Sequence, residues 1–79
     1  MKEFIEYIVK QLVDDSSQVS VKESIGERTN LYEIKVASKD ISKIIGKGGR
    51  TADALRIMAK AVCHKSGKYA QVEILESER

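Results

Sequence analysis

Along the first thirteen positions, Ile5, Ile8, Val9 and Leu12 follow the i, i+3, i+4, i+7 spacing of one helix face, backed by Phe4 and Val13. This pattern predicts an amphipathic helix over 2–13, which Asp14, Asp15, Ser16 and Ser17 bring to an end. The period then drops to two. Val19 and Val21 alternate with polar residues, as do Tyr32, Ile34 and Val36, and the GERTN segment between them offers a turn at Gly26 and Asn30. Two strands joined as a hairpin are expected. Ser38 stands where it can cap a short helix with Ile41, Ile44 and Ile45 on one face, and that helix runs into Gly46. After a glycine-rich loop, Ala52, Leu55, Ala59 and Val62 mark the buried stripe of a longer helix. His64 and Lys65 suit the negative end of its dipole, and Gly67 is placed to terminate it. A last alternation, Ala70, Val72 and Ile74, predicts a third strand. The expected order is helix, strand, strand, helix, glycine loop, helix, strand, an α+β arrangement without internal repeat or linker.

Composition narrows what such a chain can do. Seventy-nine residues with 42% hydrophobic content and no proline suit one small domain, with little room for a deep catalytic cavity. A single cysteine, Cys63, makes no internal disulfide and builds no zinc or haem site alone, which fits a reducing, cytoplasmic setting. His64 and Cys63 have no identifiable catalytic partner; they read as a surface residue and a small core residue. The N-terminal apolar stretch is broken by Glu3, Glu6 and Lys10, so neither a signal peptide nor a membrane span is expected.

Charge changes the picture only when it is placed along the chain. The overall formal charge is +2, yet Lys39 to Lys65 holds seven basic residues against Asp40 and Asp53, a local net of +5. Positive charge thus surrounds the glycine loop, as expected where phosphates are met. A solvated helix face is the alternative, and charge alone does not separate the two.

The loop itself reads IIGKGGRT from 44 to 51, with three of the five glycines at 46, 48 and 49. A phosphate-binding P-loop needs G-x-x-x-x-G-K-[ST] after a strand, but Thr51 stands five residues beyond Gly46 and a helix precedes the loop. A dinucleotide G-x-G-x-x-G would need glycine at 51. What remains is helix, G-x-x-G, helix. Gly46 and Gly49 bound a tight turn, Gly48 adds freedom, and a ligand backbone can approach without meeting a Cβ. The amides of Gly49, Arg50 and Thr51 open the next helix, where exposed N–H groups favour an anion, and Lys47 and Arg50 add mobile charge. This is chemistry for holding a sugar-phosphate backbone, with no residue placed to cleave it.

Ile44-Ile45-Gly46-Lys47-Gly48-Gly49-Arg50-Thr51 resembles the signature of the KH domain family, whose GXXG loop clamps about four nucleotides. The resemblance covers nearly the whole chain, 1–79, in the type II order α-β-β-α-(GXXG)-α-β. It implies a three-stranded mixed sheet packed against helices, binding of single-stranded RNA, and a role as a small RNA chaperone or post-transcriptional regulator. It also implies partners: a second copy, or a larger Jag-type KH protein (KhpB). No enzyme activity, metal or cofactor is implied. One departure is Ala52, where many members carry a larger aliphatic residue, so looser packing beneath the loop is expected. Carried onto this chain, the candidate RNA-binding residues are Ile45, Gly46, Lys47, Gly48, Gly49, Arg50 and Thr51, with Lys43 and Arg56 flanking them. The alternative is a protein-interaction module whose loop is vestigial. Ala54, Met58 and Ala61 widen the apolar arc of the long helix beyond the ~100° that one packing face needs, which fits either self-association or packing against the N-terminal helix.

Overall fold

The two hydrophobic periods set the architecture of the computed structural model, which describes residues 1–77. Helix α1 spans Lys2–Leu12, with Glu3 in its first turn and Lys10 in its last, each complementing the helix dipole. Its buried face is narrower than the pattern suggests. Ile5 and Val9 are buried, whereas Phe4 and Leu12, expected on that face, are 49% and 38% exposed. Ile8 and Val13 pack against the same core while only partly buried.

Strands β1, Ser20–Ile25, and β2, Thr29–Val36, form the expected antiparallel hairpin, with Val21 opposite Ile34 and Ile25 opposite Asn30. Asn30 therefore belongs to β2 and not to the turn, which is closed by the Gly26 amide donating to the Thr29 carbonyl at 3.0 Å. The reason lies across the sheet, where the Asn30 amide donates to Cys63 Sγ at 3.7 Å and Tyr32 Oη sits 3.9 Å from the same sulfur. Burial, then hydrogen bonding with Glu23 and Cys63, pushes the Tyr32 phenol well above its ordinary range. In β2 every second residue is buried, from Asn30 through Tyr32 and Ile34 to Val36, because this central strand is covered on one face only.

Strand β3, Tyr69–Glu76, pairs parallel to β2 from Thr29–Tyr69 to Val36–Glu76 and forms one edge of a sheet ordered β1-β2-β3, with β1 at the other. Parallel neighbours need a long crossover, and here it consists of helix α2, Ile41–Ile45, the glycine loop, and helix α3, Arg50–Lys65. The sheet is mixed and the class is α+β, as expected. The core joins Ile5 and Val9 of α1, Val21, Tyr32, Ile34, Val36 and Val72 of the sheet, and Ile44, Leu55, Ala59 and Cys63 of the crossover.

Two sequence expectations for α3 and α2 are corrected. The buried stripe of α3 is Ala52, Leu55, Ala59 and Cys63, while Val62 is 52% exposed. Helical spacing allows either residue to follow Ala59, and the polar pair Asn30 and Tyr32 selects Cys63. Ser38 makes no side-chain cap; it opens a single turn, Ser38–Asp40, and Asp40 takes the N-cap position of α2. The α3 C-terminus closes as expected at Gly67, with φ of 74°. The Gly67 amide reaches the His64 carbonyl at 2.9 Å and the Lys68 amide reaches the Cys63 carbonyl at 3.0 Å, a Schellman motif.

Candidate nucleic-acid interface

The glycine loop is built from the end of α2 outward. Ile44 is fully buried and anchors the helix, whereas Ile45, one residue on, is 40% exposed beside the loop. The burial expected of both isoleucines thus holds for Ile44 alone. A five-residue helix turns its neighbouring side chains about 100° apart, so one faces the sheet and the next faces out. Gly46 ends α2 with φ 74° and ψ 177°, a region that only glycine adopts without strain. A Cβ placed on Gly46 would overlap Thr51 Oγ1 and approach Thr51 Cβ to 2.9 Å. Gly48 (φ 67°, ψ 19°) and Gly49 (φ 78°, ψ 11°) are both left-handed, and a Cβ on either would meet nothing within 4 Å. Gly46 is thus required by packing, while Gly48 and Gly49 keep a backbone surface open.

The turn Lys47–Gly49 uses some of the amides that open α3. The Gly49 amide donates to the Gly46 carbonyl at 3.2 Å, and the Arg50 amide donates to the Lys47 carbonyl. The amides of Lys47 and Gly48 precede that first bond, at the open N-terminal end of the turn. Lys47, Gly48 and Arg50 are exposed, Gly49 and Thr51 half-buried. Ala52 is 3% exposed, so the small side chain is enclosed directly beneath the start of α3.

The two flanking candidates are differently placed. Lys43 donates to Asp14 Oδ2 at 2.5 Å and lies 3.4 Å from Asp40 Oδ1, so its ammonium is shared between two carboxylates. The hydrogen bond to Asp14 chiefly raises its pKa, against burial and with help from Asp40. Arg56 pairs with Asp53 at 3.3 Å in an exposed i, i+3 contact, which is weak and leaves most of its donors to solvent.

Behind α2 sits a residue that the sequence pattern does not single out as structural. Asp40 is 0% exposed, and its carboxylate accepts the backbone amides of Asp14 at 3.2 Å and Asp15 at 3.1 Å as well as facing Lys43. Burial alone would raise its carboxyl, but the two amides and Lys43 outweigh it and hold the group below its ordinary value. The segment after α1 is thereby tied to the helix that delivers the loop. Ile57 is also absent from the sequence candidates, although its i−3 and i+4 spacing to Ala54 and Ala61 was a usable signal. It is 67% exposed on α3. Among the described residues no group of three or more His, Cys, Asp and Glu gathers to hold a metal, and no helix is long and apolar enough to cross a membrane.

A family model described as KhpA/KhpB, KH domain, matches residues 2–74. RNA-binding protein KhpA of Chlamydia pneumoniae is 45% identical over 78 residues, covering 99% of this chain and 100% of that protein. RNA-binding protein KhpA of Clostridium perfringens is 45% identical over 75 residues, covering 95% and 100%, and that of Aquifex aeolicus is 42% identical over 76 residues, covering 96% of each. No solved structure matches. With an α+β mixed sheet, a helix–GXXG–helix crossover and a family match over nearly its whole length, the chain belongs to the KhpA/KhpB family of KH domains.

Proposed function

We propose that this chain is a KH domain that binds single-stranded RNA, as a small RNA chaperone or post-transcriptional regulator and not as an enzyme. The observation that carries the reading is the loop: left-handed Gly48 and Gly49 present bare backbone, flanked by exposed Lys47 and Arg50. The names of the curated relatives support the same class of ligand. The roles divide by chemistry. Gly46, Gly48 and Gly49 admit the sugar-phosphate backbone, Lys47 and Arg50 neutralise phosphates, and Thr51 offers a hydroxyl at the start of α3. Half-exposed Ile45 gives a base an aliphatic surface, and Arg56 extends the positive field along α3. Lys43 contributes mainly to that field, because Asp14 and Asp40 already engage its ammonium.

The test replaces Lys47 and Gly48 together by aspartate. Two negative charges then stand where a phosphate would sit, and no neighbour is displaced at 48. Affinity for short single-stranded RNA should be lost while circular dichroism shows a folded domain. A folded double variant that still binds RNA with wild-type affinity would refute the clamp.

A second reading concerns partners, and a specific pattern favours it. Ala54, Ile57, Met58, Ala61 and Val62 form a second apolar stripe on α3, with Ile57 67% and Val62 52% exposed and Met58 half-buried. This stripe gives a homodimer, or a heterodimer with the larger KhpB, a helix face to use. Pairing joins two weak RNA sites and raises avidity where both engage one strand.

A further inference from the structure

Where the end of α1 meets the helix that delivers the glycine loop, three charged side chains come together. Lys43 donates to Asp14 Oδ2 at 2.5 Å and stands 3.4 Å from Asp40 Oδ1. The two carboxylates are unlike. The Asp40 side chain is fully buried and already accepts the amides of Asp14 and Asp15, whereas the Asp14 side chain is 68% exposed. Asp14 is also fixed from behind, because its own amide donates to Asp40 at 3.2 Å. The main chain thus holds an exposed carboxylate against Lys43. Arg56 meets Asp53 within one helix, whereas Lys43 meets Asp14 from 29 residues away, so this second pair exists only because the chain is folded.

We propose that Asp14 sets the strength of RNA binding through Lys43: its carboxylate holds the ammonium in the free protein, and a phosphate of the bound strand displaces it. The inference rests on the RNA-binding reading above and adds a residue to it. Three observations carry it. Lys43 stands three residues before Gly46, about 4.5 Å along the helix axis, an interval that its four-carbon stem spans. Its side chain is 41% exposed, so a phosphate at the loop has access to the ammonium. The Asp14 side of the pair faces solvent, and contacts of that kind contribute little net stability, so this carboxylate is readily exchanged. Asp40 cannot play the same part, because its enclosed carboxylate is committed to the two amides. Exchange has its own electrostatic signature. A phosphate that takes Lys43 sheds its condensed cation while the freed Asp14 carboxylate attracts one, so the step adds little to the salt dependence of the wild type.

The experiment titrates a short single-stranded RNA by fluorescence anisotropy across a salt series, on wild type, Asp14→Asn, Lys43→Gln and the double variant. Asp14→Asn should bind about two- to fivefold more tightly than wild type, the fold-change that corresponds to one exposed ion pair. Its slope of log affinity against log salt should steepen by roughly −0.7, one phosphate whose cation release is no longer offset. In the Lys43→Gln background the same replacement should produce neither the gain nor the change of slope. Position 14 keeps its backbone amide in Asp14→Asn, so the bond to Asp40 persists and circular dichroism should show an unchanged fold. Asp14→Ala, which offers Lys43 no side-chain acceptor at all, is the second variant and should show the same gain.

Wild-type affinity and slope in both Asp14 variants overturn the exchange and leave the loop clamp standing. A gain of equal size in the Lys43→Gln background does the same, since Asp14 would then act as a general repulsive charge. Weaker binding in both Asp14 variants would give the Lys43 pair a supporting role and likewise overturn the proposal. Failure of wild type to bind the RNA overturns the RNA reading itself, and this proposal with it.

Discussion

Gly46 lies directly against Thr51: across the loop, a side chain on the glycine would run into the threonine side chain that opens α3. The loop is closed by this contact as well as by its hydrogen bonds, and its three glycines are consequently unequal. Gly46→Ala should cost about 1–3 kcal/mol for its backbone conformation alone, with the overlap on Thr51 adding to that. Gly48→Ala and Gly49→Ala meet no neighbour and should each cost only left-handed strain, roughly 1–2 kcal/mol. Urea denaturation of the three variants ranks them, and equal losses at 46 and 48 would remove the packing role from Gly46.

The electrostatic prediction concerns the exposed charge around the loop. If two or three phosphates are neutralised, log affinity for single-stranded RNA should fall against log salt with a slope of about −1.4 to −2.1, at roughly −0.7 per phosphate. A flat dependence would mean that Lys47, Arg50 and their neighbours are a solvated face. Duplex RNA of the same sequence should bind less well, since the site offers its apolar surface to unpaired bases.

Self-association is best tested at Val62, which is 52% exposed on α3. Wild type at high micromolar concentration should sediment as a dimer, and Val62→Asp as a monomer with unchanged circular dichroism. Met58 is a poorer probe because it packs partly against the core, so a charge there costs stability as well as contact. A dimeric Val62→Asp would move the interface away from this stripe.

Asp40 gives the fold an acid limit. Its native carboxyl titrates below its ordinary value of 3.8, so the ionised form is the one that folding favours. The associated stability is fully present above that ordinary value and is lost as pH falls through the depressed native one. Acid unfolding of wild type should therefore be steeper below pH 3.8 than that of Asp40→Asn. At neutral pH, Asp40→Asn should melt roughly 5–10 °C lower, because it weakens the bonds from the Asp14 and Asp15 amides and the attraction to Lys43. Parallel acid profiles for the two proteins would show that the carboxylate charge does not matter there.

The sequence by itself determined the features that are local. Alternation at two named the strands, spacing at 3.6 named the helices, and glycines at 46, 48, 49 and 67 marked the places where the backbone turns left-handed. Those signals depend on neighbours a few residues away, so they survive without a partner. The tertiary structure decided which of the permitted faces meets the sheet. Val62 and Cys63 compete for the end of one stripe, and only Asn30 and Tyr32, on a strand thirty residues earlier, select Cys63. Asp40 looks in sequence like a surface charge beside Lys39, and becomes buried because amides from the end of α1 arrive to solvate it. Ile57 shows the converse: an apolar residue at helical spacing stays exposed because the sheet has already been covered by Ala52, Leu55, Ala59 and Cys63. Periodicity states which side chains share a face, whereas burial depends on what another part of the chain places opposite, and that is information no local pattern holds.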